Sequence, residues 1–148
     1  MKQILGIILV LLFVAPTIAL AEKIDLYNLG GEAVVYIDTD KELAIYTWDG
    51  EAVSYLVNGC GKGCLYIYTW EGGHIGFFEN GIIYDLQGKI VGSVRGVLNI
   101  TYYAPYAKYA QYAQYAKYAR YAPYAKPAYS NGASKWSLKA FVKQGNNE

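Results

Sequence analysis

The sequence predicts an all-β domain built from four consecutive antiparallel β-hairpins. Two observations carry that expectation. One pattern, Tyr-x-Trp/Leu-x-Gly-x-x-Val/Ile, occurs four times between Tyr27 and Val91, and a repeated unit outranks local propensity as a guide to architecture. Around each glycine lie short runs rich in Val, Ile and Tyr, residues that fit a pleated, half-buried strand, while glycine punctuates the turns.

Residues 1–21 open with Lys2, run through an apolar stretch from Ile4 to Val14 and close on Ala19-Leu-Ala21 ahead of Glu22-Lys23. This is the layout of a signal peptide cut after Ala21. The apolar run is shorter than the roughly 20 residues a spanning helix needs. The expected mature chain is therefore secreted or periplasmic, with no transmembrane segment.

The segment 22–100 is long enough for one small domain. A chain of that size buries only about 60–65% of its unfolded surface, so its core must be dense in large side chains, and seven Tyr, two Trp and two Phe supply them. The repeat copies are Tyr27-Asn-Leu-Gly-Gly31-Glu-Ala-Val34, Tyr46-Thr-Trp-Asp-Gly50-Glu-Ala-Val53, Tyr68-Thr-Trp-Glu-Gly72-Gly-His-Ile75 and Tyr84-Asp-Leu-Gln-Gly88-Lys-Ile-Val91. Asp49-Gly50 is the pair a two-residue type I′ turn favours, because both central residues need positive φ. Gly31, Gly50, Gly72 and Gly88 are accordingly the turn glycines.

A two-residue turn there pairs Tyr46 with Val53, Ile45 with Ser54 and Ala44 with Tyr55, and the period of two sorts side chains onto two faces. One face carries Tyr27, Tyr46, Tyr68, Tyr84, Trp48, Trp70, Val34, Val53, Ile75 and Val91, and it is the expected core of the repeat. The other face sets Leu26, Ile45, Ile67 and Ile83 opposite the mostly small Val35, Ser54, Gly76 and Gly92. Small partners imply crowding near a shared axis, which Asn28, Thr47, Thr69, Asp85 and His74 are expected to face.

The Tyr-Thr-Trp-Asp-Gly and Tyr-Thr-Trp-Glu-Gly turns, the run Gly73-His-Ile-Gly-Phe-Phe78, and Asn80-Gly-Ile-Ile-Tyr-Asp85 followed by Gly88-Lys-Ile-Val-Gly92 resemble the 4-fold β-flower family over about Leu26 to Val94. The resemblance implies four hairpins around a pseudo-fourfold axis and a likeness to Tubby-like barrels, with suggestions of lipid or apolar-ligand binding. It brings no catalytic residues. Relatives of this kind also carry a low-complexity repeat and a short closing segment after the hairpins.

Cys60 and Cys64 lie in Asn58-Gly-Cys-Gly-Lys-Gly-Cys64, between the second and third hairpins. Export favours a disulfide, and a C-x3-C pair with no His or second Cys pair nearby is a weak metal site. His74 is the lone histidine. No second group marks a triad around it and no carboxylate pair recurs, so the sequence points to a non-enzyme with no cofactor and no metal.

From Tyr103 the chain becomes a three-residue Tyr-Ala-x repeat with Pro105 and Pro123 at x positions, ending at Pro127-Ala-Tyr129. Polyproline II turns once every three residues and aligns all tyrosines on one face, alanines on a second and basic or amide residues on a third. An α-helix would spiral them and a strand would scatter them. Alanine's helix propensity keeps the helix in contention behind an extended or disordered tail. In 130–148, Trp136, Leu138, Phe141 and Val142 are spaced for a short amphipathic helix that docks on the domain or lies on a membrane.

Charge is split. Residues 22–100 hold five Lys/Arg against eleven Asp/Glu, a net of −6, while 101–148 hold seven against Glu148, a net of +6. The split fits either mutual attraction of tail and domain or a tail that meets an anionic partner. The function expected from the sequence is an exported, envelope-associated binding or structural module whose basic, tyrosine-rich arm contacts an anionic lipid surface or envelope polymer. The alternative is a carrier or sensor holding a lipid or small apolar ligand at the centre of the hairpins. An exported chain rarely meets nucleic acid and the basic charge is sparse, so no nucleic-acid partner is expected.

Overall fold

A computed structural model of the protein describes residues 22–145; the expected signal peptide lies outside the described residues. Eight strands run as β1 (Lys23–Asn28), β2 (Ala33–Asp38), β3 (Ala44–Thr47), β4 (Ala52–Asn58), β5 (Cys64–Thr69), β6 (His74–Glu79), β7 (Ile82–Asp85) and β8 (Ile90–Ser93), and a helix, α1 (Leu138–Val142), follows near the end. Each strand pairs antiparallel with its neighbours in chain order. β8 returns to β1 through Tyr27↔Ser93 and Asn28↔Gly92, which closes an eight-stranded barrel without a free edge.

The four repeat copies form the hairpins β1–β2, β3–β4, β5–β6 and β7–β8, but their loops have three residues and not two. In the second, Gly50 N–H donates to the Thr47 carbonyl at 2.9 Å and Thr47 N–H to the Glu51 carbonyl at 2.8 Å, which leaves Trp48, Asp49 and Gly50 as the loop. Only the glycine takes positive φ, at 86°, 98°, 95° and 82° in the four copies. A β-bulge at Val34, Val53, Ile75 or Val91 then restores the register, so Tyr46 pairs with Ala52 while Ile45↔Ser54 and Ala44↔Tyr55 hold as expected. A two-residue turn with both residues at positive φ does occur, at Asn80-Gly81 between β6 and β7.

The face expected to form the core is the outer one. The barrel interior is aliphatic: Leu26, Val35, Ile37, Ile45, Val53, Leu56, Ile67, Ile75, Ile83 and Val91, drawn from all eight strands, form one cluster with Leu138, Phe141 and Val142 of α1. The bulges account for Val53, Ile75 and Val91 joining that cluster rather than the tyrosines. The crowding expected near the axis is present at Gly76 and Gly92, where the adjacent strand and α1 both close in. A Cβ on Gly76 would press on Phe141 and on the Tyr84 carbonyl, and one on Gly92 would press on Leu138 and on the Tyr27 carbonyl. Ser137 caps the helix by accepting from Ala140 N–H at 3.3 Å.

Tyr36, Tyr46, Tyr55, Tyr68 and Trp70 are buried in a separate cluster on the outside of the barrel, with Trp48 half-buried against them. They are covered by the chain between residues 101 and 134. This segment, called the strap below, has neither helix nor strand through residue 130 and wraps around the barrel before α1 fills its centre.

Candidate functional site

The strap keeps a nine-residue register with the hairpins. The N–H groups of Tyr103, Tyr112, Tyr121 and Ser130 donate to the carbonyls of Gly31, Gly50, Gly72 and Gly88, at 2.9, 2.8, 2.9 and 3.0 Å. Tyr109 and Tyr118 donate to the carbonyls of Trp48 and Trp70, whose indole N–H groups donate to the carbonyls of Tyr106 and Tyr115. Each turn glycine is needed for this approach as well as for its φ. A Cβ there would overlap the carbonyl oxygen of Thr101, Ala110, Ala119 or Ala128, again nine residues apart. Three Tyr-Ala-x triplets therefore span one hairpin, and the strap makes its backbone hydrogen bonds to the barrel through residue 130 and none within itself, as an extended chain must.

At the third position of the triplets, Lys108, Gln111, Gln114, Lys117, Arg120 and Lys126 reach back to the barrel. Lys108 sits 5.1 Å from the Tyr36 ring and 4.5 Å from Trp48; nine residues on, Lys117 sits 4.4 Å from Tyr55 and 5.2 Å from Trp70. Both pairs of rings meet edge to face. Lys108 also bonds Asp25 at 2.8 Å and Lys126 bonds Glu79 at 2.6 Å. Gln111 donates to the Tyr36 hydroxyl and to Asp38, and Gln114 to the Tyr46 hydroxyl. The basic charge of the strap is thus largely spent on the acidic, aromatic outside of its own barrel. At its C-terminal end the pattern closes with Tyr129 stacked on Tyr84 at 3.7 Å and donating to Glu79. Lys126 and Tyr129 hold Glu79 below the usual carboxylate range, while burial and the Glu79 carboxylate push the Tyr129 phenol up.

The tyrosines face outward. Tyr103, Tyr106, Tyr109, Tyr112, Tyr115, Tyr118, Tyr121 and Tyr124 are 57–90% exposed, and together they form a belt around the barrel. The sequence shows the three-residue alignment but not which face points out. It also holds the missed nine-residue signal: Lys108, Lys117 and Lys126, and Pro105 and Pro123 two steps apart.

Of the other sequence-predicted residues, Tyr27 is buried with its hydroxyl accepting from Arg95, and Tyr84 is half-buried. The polar groups expected at the axis instead close the hairpin loops. Asn28, Thr47, Thr69 and Asp85 each accept through the side chain from the backbone N–H four residues on, and Asp85 also accepts from the Ser134 hydroxyl at 2.6 Å. His74 lies outside too, among Tyr66, Tyr68, Phe77 and Tyr124. Its Nδ1 accepts from Tyr124 N–H at 2.9 Å, which fixes the tautomer with Nε2–H on the Gly76 carbonyl. Burial pulls its pKa down, and the Gly76 bond partly opposes this. Cys60 and Cys64 are joined in a disulfide with Cα atoms 5.4 Å apart.

Among the described residues no three His, Cys, Asp or Glu are grouped to hold a metal ion, and no helix is long and apolar enough to cross a membrane. Searches of curated proteins and of solved structures return no match. The family model described as 4-fold beta flower protein matches residues 24–142, strap and closing helix included, and the chain belongs to that family.

Proposed function

We propose that the protein is a non-enzymatic, exported, envelope-associated binding module whose contact surface is the tyrosine belt. The exposure of eight tyrosines on a strap fixed every nine residues carries this reading. An exposed aromatic surface of this extent is the mark of an interaction site. Tyrosine offers a broad apolar face and a polar tip with little side-chain freedom to lose, and a strap already bound to its barrel loses little backbone freedom on engaging a partner. In an extended chain with three residues per turn the rings recur about every 9 Å, which suits a polymer that offers repeated sugar rings. The exposed Lys135 and Lys139 add charge for anionic groups on such a polymer. The centre of the barrel, filled by Phe141 and Leu138, gives no support to a carried ligand there.

The test is cosedimentation of the chain from residue 22 with isolated envelope fractions, beside a Tyr106→Ser/Tyr115→Ser variant. Those side chains are 90% and 87% exposed, so the barrel should stay folded. The variant is expected to bind about tenfold more weakly, the equivalent of about 1.4 kcal/mol. Equal sedimentation of the two proteins removes the belt from the function.

A further inference from the structure

Under the strap lies a cleft of about 490 Å³ lined by Tyr55, Tyr68, Lys117, Arg120 and the chain from residue 118 to 123. One hairpin earlier the equivalent place is occupied: Gln111 donates to the Tyr36 hydroxyl at 3.2 Å and to Asp38 at 2.7 Å. Nine residues along the strap Gln111 becomes Arg120, and on the barrel Tyr36 and Asp38 become Tyr55 and Val57. The carboxylate has gone and a cation has arrived.

Three consequences meet in the cleft. Arg120, with Cζ 5.7 Å from the Tyr68 ring, forms no ion pair among the described residues. Among the described residues Lys117 pairs with Glu42, at 3.5 Å, and that carboxylate is 84% exposed. The Tyr55 hydroxyl is buried without a hydrogen-bond partner among the described residues, although the Tyr36, Tyr46 and Tyr68 hydroxyls of the same layer all have one. A buried, unused donor is costly and uncommon in a native fold. Two cations and a phenol O–H thus share a cleft whose lining includes no carboxylate.

We propose that this cleft binds a phosphate group, held by the Arg120 guanidinium, the Lys117 ammonium and the Tyr55 hydroxyl. The planar fork of arginine matches a pair of phosphate oxygens, and two positive charges suit a dianion. The site deepens the envelope-polymer reading by naming a charged group of the polymer, and it rests on that reading only for where the phosphate comes from.

Calorimetric titration of the chain from residue 22 with inorganic phosphate, and separately with poly(glycerol phosphate), tests it at fixed low ionic strength with chloride as control. Arg120→Gln copies the neighbouring hairpin and so keeps the fold. Its affinity for phosphate is expected to fall at least about tenfold, and that of Tyr55→Phe about three- to tenfold, as loss of charged and neutral hydrogen bonds predicts. Absence of saturable phosphate binding, or equal affinity in the wild type and Arg120→Gln, overturns the site. Binding of inorganic phosphate without binding of the polymer keeps the cleft and removes the polymer as its source.

Discussion

At the scale of single residues, the turn glycines carry two constraints and His74 carries a third. Gly72 combines φ of +95° with a strap carbonyl where its Cβ would lie, whereas Gly63 has φ of +75° and open space around it. Alanine at Gly63 should cost about 1 kcal/mol of backbone strain. At Gly72 it must also displace Ala119, and chemical denaturation should show at least about twice that loss. His74 is neutral in the fold because burial lowers its pKa and Tyr124 N–H occupies Nδ1. An unfolded chain titrates near pH 6.5 and binds the extra proton first. The stability due to His74 is therefore complete above about pH 6.5 and declines as pH falls below it toward the folded value. Urea midpoints of wild type and His74→Gln between pH 7.5 and 5 should converge on the acid side. Parallel curves would deny His74 that role.

The element that decides the architecture is the strap, and its register is a matter of position more than composition. Exchanging Gln114 and Lys117, as Gln114→Lys with Lys117→Gln, preserves charge, length and every Tyr-Ala-x triplet. It removes the cation from Tyr55 and Trp70 and the amide from the Tyr46 hydroxyl. Two ring contacts at about 0.5–1 kcal/mol each and one hydrogen bond near 1 kcal/mol put the expected loss at about 2–3 kcal/mol by denaturant titration. The four hairpins, their glycines, the disulfide and a short amphipathic helix near the end were legible in the sequence because each leaves a pattern of its own, whereas the sequence leaves open where that helix docks. The inversion of the faces was not. Period two says which residues share a face, and only the partner for that face says which one is inside. Here the aliphatic face meets Phe141 and the aromatic face meets Lys108 and Lys117, both far along the chain. The loop length is hidden for a related reason: Asp49-Gly50 fits a type I′ turn as well as the end of a three-residue loop, and the compensating bulge at Val53 leaves no mark in composition.

For the whole molecule, barrel, strap and α1 pack together so that residues 101–142 cover the eight-stranded barrel outside and fill it inside. The strap shields Tyr36, Tyr46, Tyr55 and Tyr68 from outside, and Leu138, Phe141 and Val142 fill the centre. The opposite charges of the two segments, −6 and +6, then act within one domain through Lys108–Asp25 and Lys126–Glu79. Residues 22–100 alone are therefore expected not to fold as an independent domain. Phe141→Ala should cost about 3–5 kcal/mol, since the ring is fully buried against Gly76 and the rigid barrel wall cannot collapse around the gap. Ending the chain after Ile100 removes the centre and the outer cover together, and the remaining barrel must expose a ring of tyrosines outside and an apolar cavity within. Thermal melts followed by near-ultraviolet circular dichroism should show a cooperative transition for the full chain, a lower one for Phe141→Ala, and none for 22–100. A cooperative melt of 22–100 at the temperature of the full chain would mean that the hairpins close a stable barrel alone and that the strap is an added surface.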